Sequence, residues 1–268
     1  MAALSVGSGS AADLRMPVIK GPVVVPHFFT WSGCYVGGNL GYYRSQFDSR
    51  ITFDDVPGGV DDPVPETYLN DPLTTKGFTG GGQVGCQYQV NHFVVGVEGD
   101  YNWTNRNSEE RFYAPDPVGE PFDSVRQSVS MKSLYSVRGR VGLAEDRALV
   151  YVTAGWAGAR FDHSFFLNDG GATGDPFANA GQYSYTSNGV VLGAGVQYAL
   201  TDNWIIGAEF LHFSFGDAKY LPNSPAQFFP GCTSCGVGPW IGDHITLRQA
   251  DEVRIRLDYK FGSWPFGY

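Results

Sequence analysis

The sequence predicts an all-β protein: an eight-stranded antiparallel up-and-down transmembrane β-barrel with four long extracellular loops. Three observations predict it. Apolar and polar residues alternate with period two in segment after segment, the mark of strands with one apolar and one polar side. The connections alternate between very short and long, which puts tight turns at one rim and loops at the other. No stretch approaches the ~18–20 unbroken apolar residues of a transmembrane helix, so any crossing is left to strands.

The strands follow in order. Residues 33–48 are rich in glycine and tyrosine, and 77–89 carry Phe78, Val84 and Tyr88. In the third segment Phe93, Val95, Val97, Tyr101 and Trp103 share a face, against Glu98, Asp100 and Asn102. In the fourth, Val129, Met131, Tyr135, Val137, Val141 and Leu143 oppose Ser130, Lys132, Ser136, Arg138 and Arg140. Residues 148–163 hold Val150, Val152 and Trp156, and 182–199 hold Val190, Leu192, Ala194, Val196 and Tyr198. Trp204, Ile206, Ala208 and Phe210 then oppose Gly207 and Glu209. Last, Val253, Ile255, Leu257, Tyr259 and Phe261 oppose Arg254, Arg256, Asp258 and Lys260. Most are long enough for the ~9–11 residues of a tilted membrane strand. The short connections are Val90-Asn91, 144–147 and 200–203; the long ones are 49–76, 105–126, 164–181 and 217–247.

Alternation alone leaves open which face points where, and a soluble sandwich would alternate too. Charge placement favours the barrel. Glu98, Asp100, Lys132, Arg138, Arg140, Glu209, Arg254, Arg256, Asp258 and Lys260 would converge in a narrow interior, where acids and bases satisfy one another. The expected pairs join Arg138 or Arg140 to Glu98, Asp100 or Glu209. Trp, Tyr, Phe and Val would then face lipid, with Tyr42, Trp103, Trp156, Trp204 and Phe213 as interfacial girdles. The four long connections hold fifteen acidic and six basic residues, the whole net charge of −9. Such loops suit bridging by divalent cations or repulsion of anions; the simpler reading is solvated loops. An acidic surface excludes a nucleic-acid role.

The N-terminus reads as export machinery. Residues 1–12 resemble the remnant of a signal peptide, cleaved near Ala11 or Ala12, though the basic start is missing. Residues 13–32 read as a proline-rich periplasmic leader, 33–261 as the outer-membrane barrel, and 262–268 as a C-terminal extension.

Several motifs resemble a known family. Trp31-Ser32-Gly33-Cys34-Tyr35-Val36-Gly37-Gly38-Asn39-Leu40-Gly41-Tyr42 resembles the opening of alphaproteobacterial outer-membrane immunogenic proteins, opacity-like small barrels of the "porin family". The leader Ala11-Ala12-Asp13-Leu14, Gly80-Gly81-Gly82-Gln83-Val84-Gly85 and the stretches 134–142, 150–155, 202–204 and 253–261 resemble theirs as well. The resemblance implies a surface-exposed outer-membrane barrel serving envelope integrity, antigenicity or adhesion, with no catalytic residues and no cofactor. Its implied partners are outer-membrane lipid and lipopolysaccharide, with divalent cations at the loops, and peptidoglycan or a host surface as further candidates. Barrels of this kind end on an aromatic, here Phe261 or Tyr268.

Four cysteines in an exported chain sit in an oxidising compartment. Cys34 and Cys86 fall at the same rim if the first two strands pair, which predicts a cross-strand disulfide; two separate apolar thiols are the alternative. Cys232 and Cys235 lie in the fourth long loop and read as a loop disulfide, ahead of a metal site with His244 or a redox pair. His27, His92, His163, His212 and His244 show no paired spacing, and neither His163-Ser164 nor His212 with Ser214 makes a motif. The leading function is structural and surface-interacting; a narrow channel and a lipid-modifying enzyme are the competing readings.

Overall fold

The computed structural model describes residues 29–54, 69–105, 109–113, 124–169, 177–216, 218–220 and 240–261. The strands are β1 (Gly33–Asp54), β2 (Leu69–Val90), β3 (Phe93–Thr104), β4 (Glu109–Tyr113), β5 (Ser124–Glu145), β6 (Ala148–Asp169), β7 (Phe177–Ala199), β8 (Trp204–Phe215), β9 (Ala218–Tyr220) and β10 (Trp240–Phe261). All neighbours run antiparallel, in the order β1-β2-β3-β5-β6-β7-β8-β10, and β10 pairs back with β1. The result is a closed barrel of eight staves. Two staves are broken: β4 continues β3 along β5, and β9 continues β8 along β10.

Through the apolar band, closure pairs every stave on both sides without a free edge, the condition for crossing lipid with strands. The short turns lie at the rim where β1 begins and β10 ends, at Asn91–His92, Asp146–Arg147 and 200–203. Asn91 and Asp146 take left-handed backbone there, with φ of 54° and 48°; short polar residues tolerate it best after glycine.

The faces are decided by burial. Leu40, Phe78, Val97, Trp103, Val152, Leu192 and Ile255 point outward, while Glu98, Asp100, Arg138, Arg140, Glu209, Arg254 and Arg256 are buried in the lumen. The outward apolar stretches, such as Val253–Phe261 on β10 and Tyr135–Leu143 on β5, match the ~9–11 residues a tilted strand needs.

The strands run past this band, and there the pattern inverts. On β1, Tyr42 is the last outward apolar residue; Arg44, Gln46 and Asp48 follow it outside, with Tyr43 and Phe47 inside. On β8, Phe210 is followed outside by His212 and Ser214, with Leu211, Phe213 and Phe215 inside. On β6, Trp156 gives way outside to Arg160, with Ala157, Ala159 and Phe161 inside. The upper half is therefore built like a water-soluble protein, polar outside and apolar within. Among the described residues no strand pairing joins β2 to β4 or β7 to β9 at this level. Among the described residues the upper half is two facing four-stranded sheets, β2-β1-β10-β9 and β4-β5-β6-β7, over one apolar core.

Each sheet carries one β-bulge. Arg248 is the extra residue of β10 opposite Gln46 and Phe47, and Lys132 that of β5 opposite Arg160 and Phe161. A bulge shifts the inward parity of the residues beyond it. Arg248 and Lys132 stay outside, held by Asp48 and Asp162 on the adjacent strands, while Ile245, Leu247, Val129 and Met131 turn inward.

These features correct several expectations. Strict alternation put Lys132 inside and Val129 and Met131 outside; the bulge reverses all three. Phe213 was expected in a girdle and is instead fully buried in the upper core, because above the band the apolar side of a strand faces in. The strands also extend far into the expected loops, since their upper parts follow soluble rather than membrane patterning. Phe29–Ser32, assigned to the leader, pack against the barrel. The expected cleavage site, the C-terminal extension, Cys232 and Cys235 lie outside the described residues.

Candidate functional site: the lumen

The lumen is filled at three heights. At the short-turn end, Phe29 and Trp31 pack with Val94, Ala144, Leu149, Tyr151, Ala199 and Ile205. Trp31 donates its backbone N–H to Gln89 Oε1 (2.8 Å) and its indole N–H to the Asp146 carbonyl (3.2 Å). Lys260 donates to the Thr30 carbonyl and lies over the Phe29 ring, 4.1 Å from its centroid.

The middle layer holds the charges. Glu98 on β3 accepts from Arg138 Nη2 (2.5 Å), Arg256 Nη2 (2.5 Å) and the Tyr35 hydroxyl (2.6 Å). Glu209 on β8 accepts from Arg138 Nη1 (2.9 Å), Arg254 Nε (2.8 Å) and the Tyr151 hydroxyl (3.1 Å). β3 and β8 are opposite staves in the strand order, so Arg138 ties the two walls together. Asp100 meets Arg138 at 3.1 Å and Arg254 at 3.2 Å. Asp258 accepts from Arg256 Nε (2.9 Å), Gln83 (2.7 Å) and Gln197 (3.0 Å). Arg140 donates to the Tyr35 hydroxyl (2.8 Å) and Gln197 Oε1 (2.6 Å), and lies 3.9 Å from the Tyr151 ring centroid. Buried charge is tolerable only when paired and hydrogen-bonded in this way.

The expected interior charges other than Lys132 lie together here, Lys260 at the lower margin. Glu252 escaped the sequence reading; it is buried and accepts from Thr79 at 2.5 Å. Its parity with Arg254 and Arg256 was the available signal. Tyr35, Tyr151, Gln83 and Gln197 also escaped, being neutral groups on the inward face. Their hydroxyls and amides add hydrogen bonds to the arginines and acids. Five acids (Glu98, Asp100, Glu209, Glu252, Asp258) face five bases (Arg138, Arg140, Arg254, Arg256, Lys260), so the layer is neutral.

The upper layer is apolar: Tyr43, Phe47, Leu73, Met131, Leu134, Phe161, Leu211, Phe213 and Leu247 fill the space between the two sheets. No group of three or more candidate metal ligands occurs among the described residues.

Outside, Tyr42 and Phe78 touch edge to face at 5.5 Å, and Tyr101 stacks on Tyr135, which neighbours Trp156. With Trp103 they edge the upper margin of the band. Trp204, Tyr259 and Phe261 form the lower margin, with ring centroids 5.1 and 5.4 Å apart. Cys34 and Cys86 face each other across β1 and β2 near that lower rim and are joined by a disulfide.

A closed barrel with aromatic margins, an apolar outer band and a charged lumen defines an integral protein of the bacterial outer membrane. The chain belongs to the outer membrane protein beta-barrel domain family, whose pattern it matches over residues 2–230. It is 28% identical to the 31 kDa outer-membrane immunogenic protein of Brucella melitensis over 81% of this chain and 85% of that one. It is 26% identical to the 25 kDa outer-membrane immunogenic protein of Brucella abortus, over 78% of each. Among solved structures it is similar to the outer membrane protein OprG from Pseudomonas aeruginosa, at 12% identity and a TM-score of 0.45, covering 87% of this chain and 97% of that one.

Proposed function

We propose that this protein is a non-conducting, non-enzymatic barrel that anchors in the outer membrane and holds its extracellular ends at the cell surface. The observation that carries this reading is the filled lumen. The Phe29–Trp31 cork, the Arg138 tie between Glu98 and Glu209 and the apolar upper core lie one above another. Eight staves leave room only for side chains, and here the charged side chains pair with one another across the lumen. The upper half supports the display role, because it carries the strand ends beyond the lipid on a rigid, soluble-type core. Envelope integrity and contact with peptidoglycan or a host surface are roles such a scaffold can serve. The names of its relatives describe immunogenic outer-membrane proteins and no reaction.

The display role is tested by epitope insertion. A tag at Gly171, between β6 and β7, is expected to be reached by antibody on intact cells. A tag at Asp202, in the turn before β8, is expected to be reached only after permeabilisation. Labelling of the second tag on intact cells would overturn the reading.

A further inference from the structure

Cys34 on β1 and Cys86 on β2 are bonded across the two strands, directly opposite each other. They share their outward parity with Val36 and Val84, which are exposed on the lipid side. The outward face around the bond is apolar. Phe261 lies opposite Cys34 on β10, and Val97 lies opposite Cys86 on β3. Towards the short-turn rim, Tyr88 and Val90 on β2 and Phe93 and Val95 on β3 are exposed as well. The two sulfurs therefore lie within the apolar band, just inside its lower margin. Thiol–disulfide exchange starts from a thiolate and needs a path to the sulfur. Hydrocarbon provides neither, because an ion is far less stable there than in water and a water-soluble oxidant stays outside.

The bond also sits where little else sets the register. From Tyr35 to Gly41, every β1–β2 pair except Val36–Val84 contains a glycine. Glycine brings no side chain to a cross-strand contact, and glycine-rich pairs are prone to slip. Tight turns hold β2–β3 and β5–β6 in register, at Asn91–His92 and Asp146–Arg147. β1 and β2 are connected only beyond Asp54 and Leu69, at the end far from the cysteines. A bond between directly opposite residues excludes every slipped pairing.

We infer that Cys34 and Cys86 are oxidised in the periplasm, before β1 and β2 enter the membrane, and that the bond brings the pair to the membrane already in register. The reaction that must supply the bond is thiol–disulfide exchange with a disulfide-bearing oxidant. The thiolate of one cysteine attacks the oxidant's disulfide, forming a mixed disulfide and releasing one oxidant sulfur as its thiolate. The second cysteine's thiolate attacks the protein sulfur of that mixed disulfide. This closes Cys34–Cys86 and releases the other oxidant sulfur. Two electrons pass to the oxidant, whose two sulfurs take up the two cysteine protons. The inference is independent of whether the lumen conducts.

The test follows the full-length chain, with thiols alkylated and peptides mapped so that Cys34 and Cys86 are read apart from Cys232 and Cys235. Heat-modifiable gel mobility separates folded from unfolded chains. Oxidised glutathione is expected to close the bond in the unfolded chain in urea. Added at the same pH after the reduced chain has folded into lipid vesicles, it is expected to consume the two thiols at least about tenfold more slowly, since the attacking anion must form within the band. Tris(carboxyethyl)phosphine is expected to open the bond in urea and to spare it in the folded protein. Equal rates in folded and unfolded chains, with either reagent, would overturn the inference. The chain that already carries the bond is expected to fold faster than the reduced chain; equal folding rates would overturn the register role. Should the reduced chain not fold at all, the bond is a condition of folding, as inferred, and the phosphine experiment still decides access.

Discussion

Phe47 on β1 and Phe161 on β6 meet inside the upper half with ring centroids 5.2 Å apart, although their strands are opposite staves of the barrel. Each belongs to a different one of the two upper sheets. Their contact is what makes the extracellular half a packed body rather than a pair of free ribbons. Phe161→Ala is expected to cost about 3–5 kcal/mol, as other buried Phe truncations do. Urea unfolding in lipid vesicles checks it; a loss below about 1 kcal/mol would place the ring outside a packed core.

The middle layer makes a different prediction. Glu98 serves three arginines within 3.5 Å and a tyrosine. Glu98→Gln removes the carboxylate that Arg140 meets and one of those that Arg138 and Arg256 meet, and breaking a buried pair from one side costs about 3–5 kcal/mol. Glu209→Gln is expected to cost less, because Arg138 and Arg254 keep Asp100 and Arg256 keeps Glu98 and Asp258. Unfolding midpoints of the two variants, compared in one lipid, check the order.

How much of this was legible beforehand follows from which rule governed each residue. The charges at Glu98, Arg138, Arg140, Glu209, Arg254 and Arg256 could be grouped because simple alternation holds through the membrane band. Lys132 could not be placed, because nothing in the local sequence announces the bulge that moves it outside. Phe213 was misplaced because its chemistry suits a girdle, while its height puts it above the point where inside and outside exchange polarity. That point becomes visible only when rows are aligned across strands, as Tyr42–Arg44, Phe210–His212 and Trp156–Arg160 then show together. The Phe29–Trp31 cork was unreadable, since a leader's apolar residues carry no period.

His163 lies beyond Trp156, where β6 has left the lipid, and is fully buried. Burial pushes its imidazole down to about 4. Above its ordinary value of about 6.5, folded and unfolded forms are both neutral and stability is indifferent to this group. As pH falls from there to about 4, only the unfolded chain takes the proton, so stability declines. The slope approaches about 1.4 kcal/mol per pH unit and vanishes below about 4. His163→Gln is expected to flatten the unfolding midpoint across that window; an unchanged slope would contradict it.

The disulfide at Cys34–Cys86 closes a separation of 52 residues. Cys34 also faces Phe261 across the seam where the first and last strands close the barrel. Replacing both cysteines by serine is expected to cost about 2–4 kcal/mol, chiefly by freeing the unfolded chain. Refolding yield with and without reductant checks it; identical yields would assign the bond no part in stability.

The proposal that the lumen does not conduct is tested most directly by planar-bilayer conductance of the refolded protein, with heat-modifiable mobility certifying the fold. The expected result is a bilayer that stays at baseline across repeated insertions at moderate voltage. Steady unitary currents of reproducible size would contradict the proposal, which has the Phe29–Trp31 cork, the Glu98–Arg138–Glu209 tie and the Phe47–Phe161 contact block the path of ions one above another.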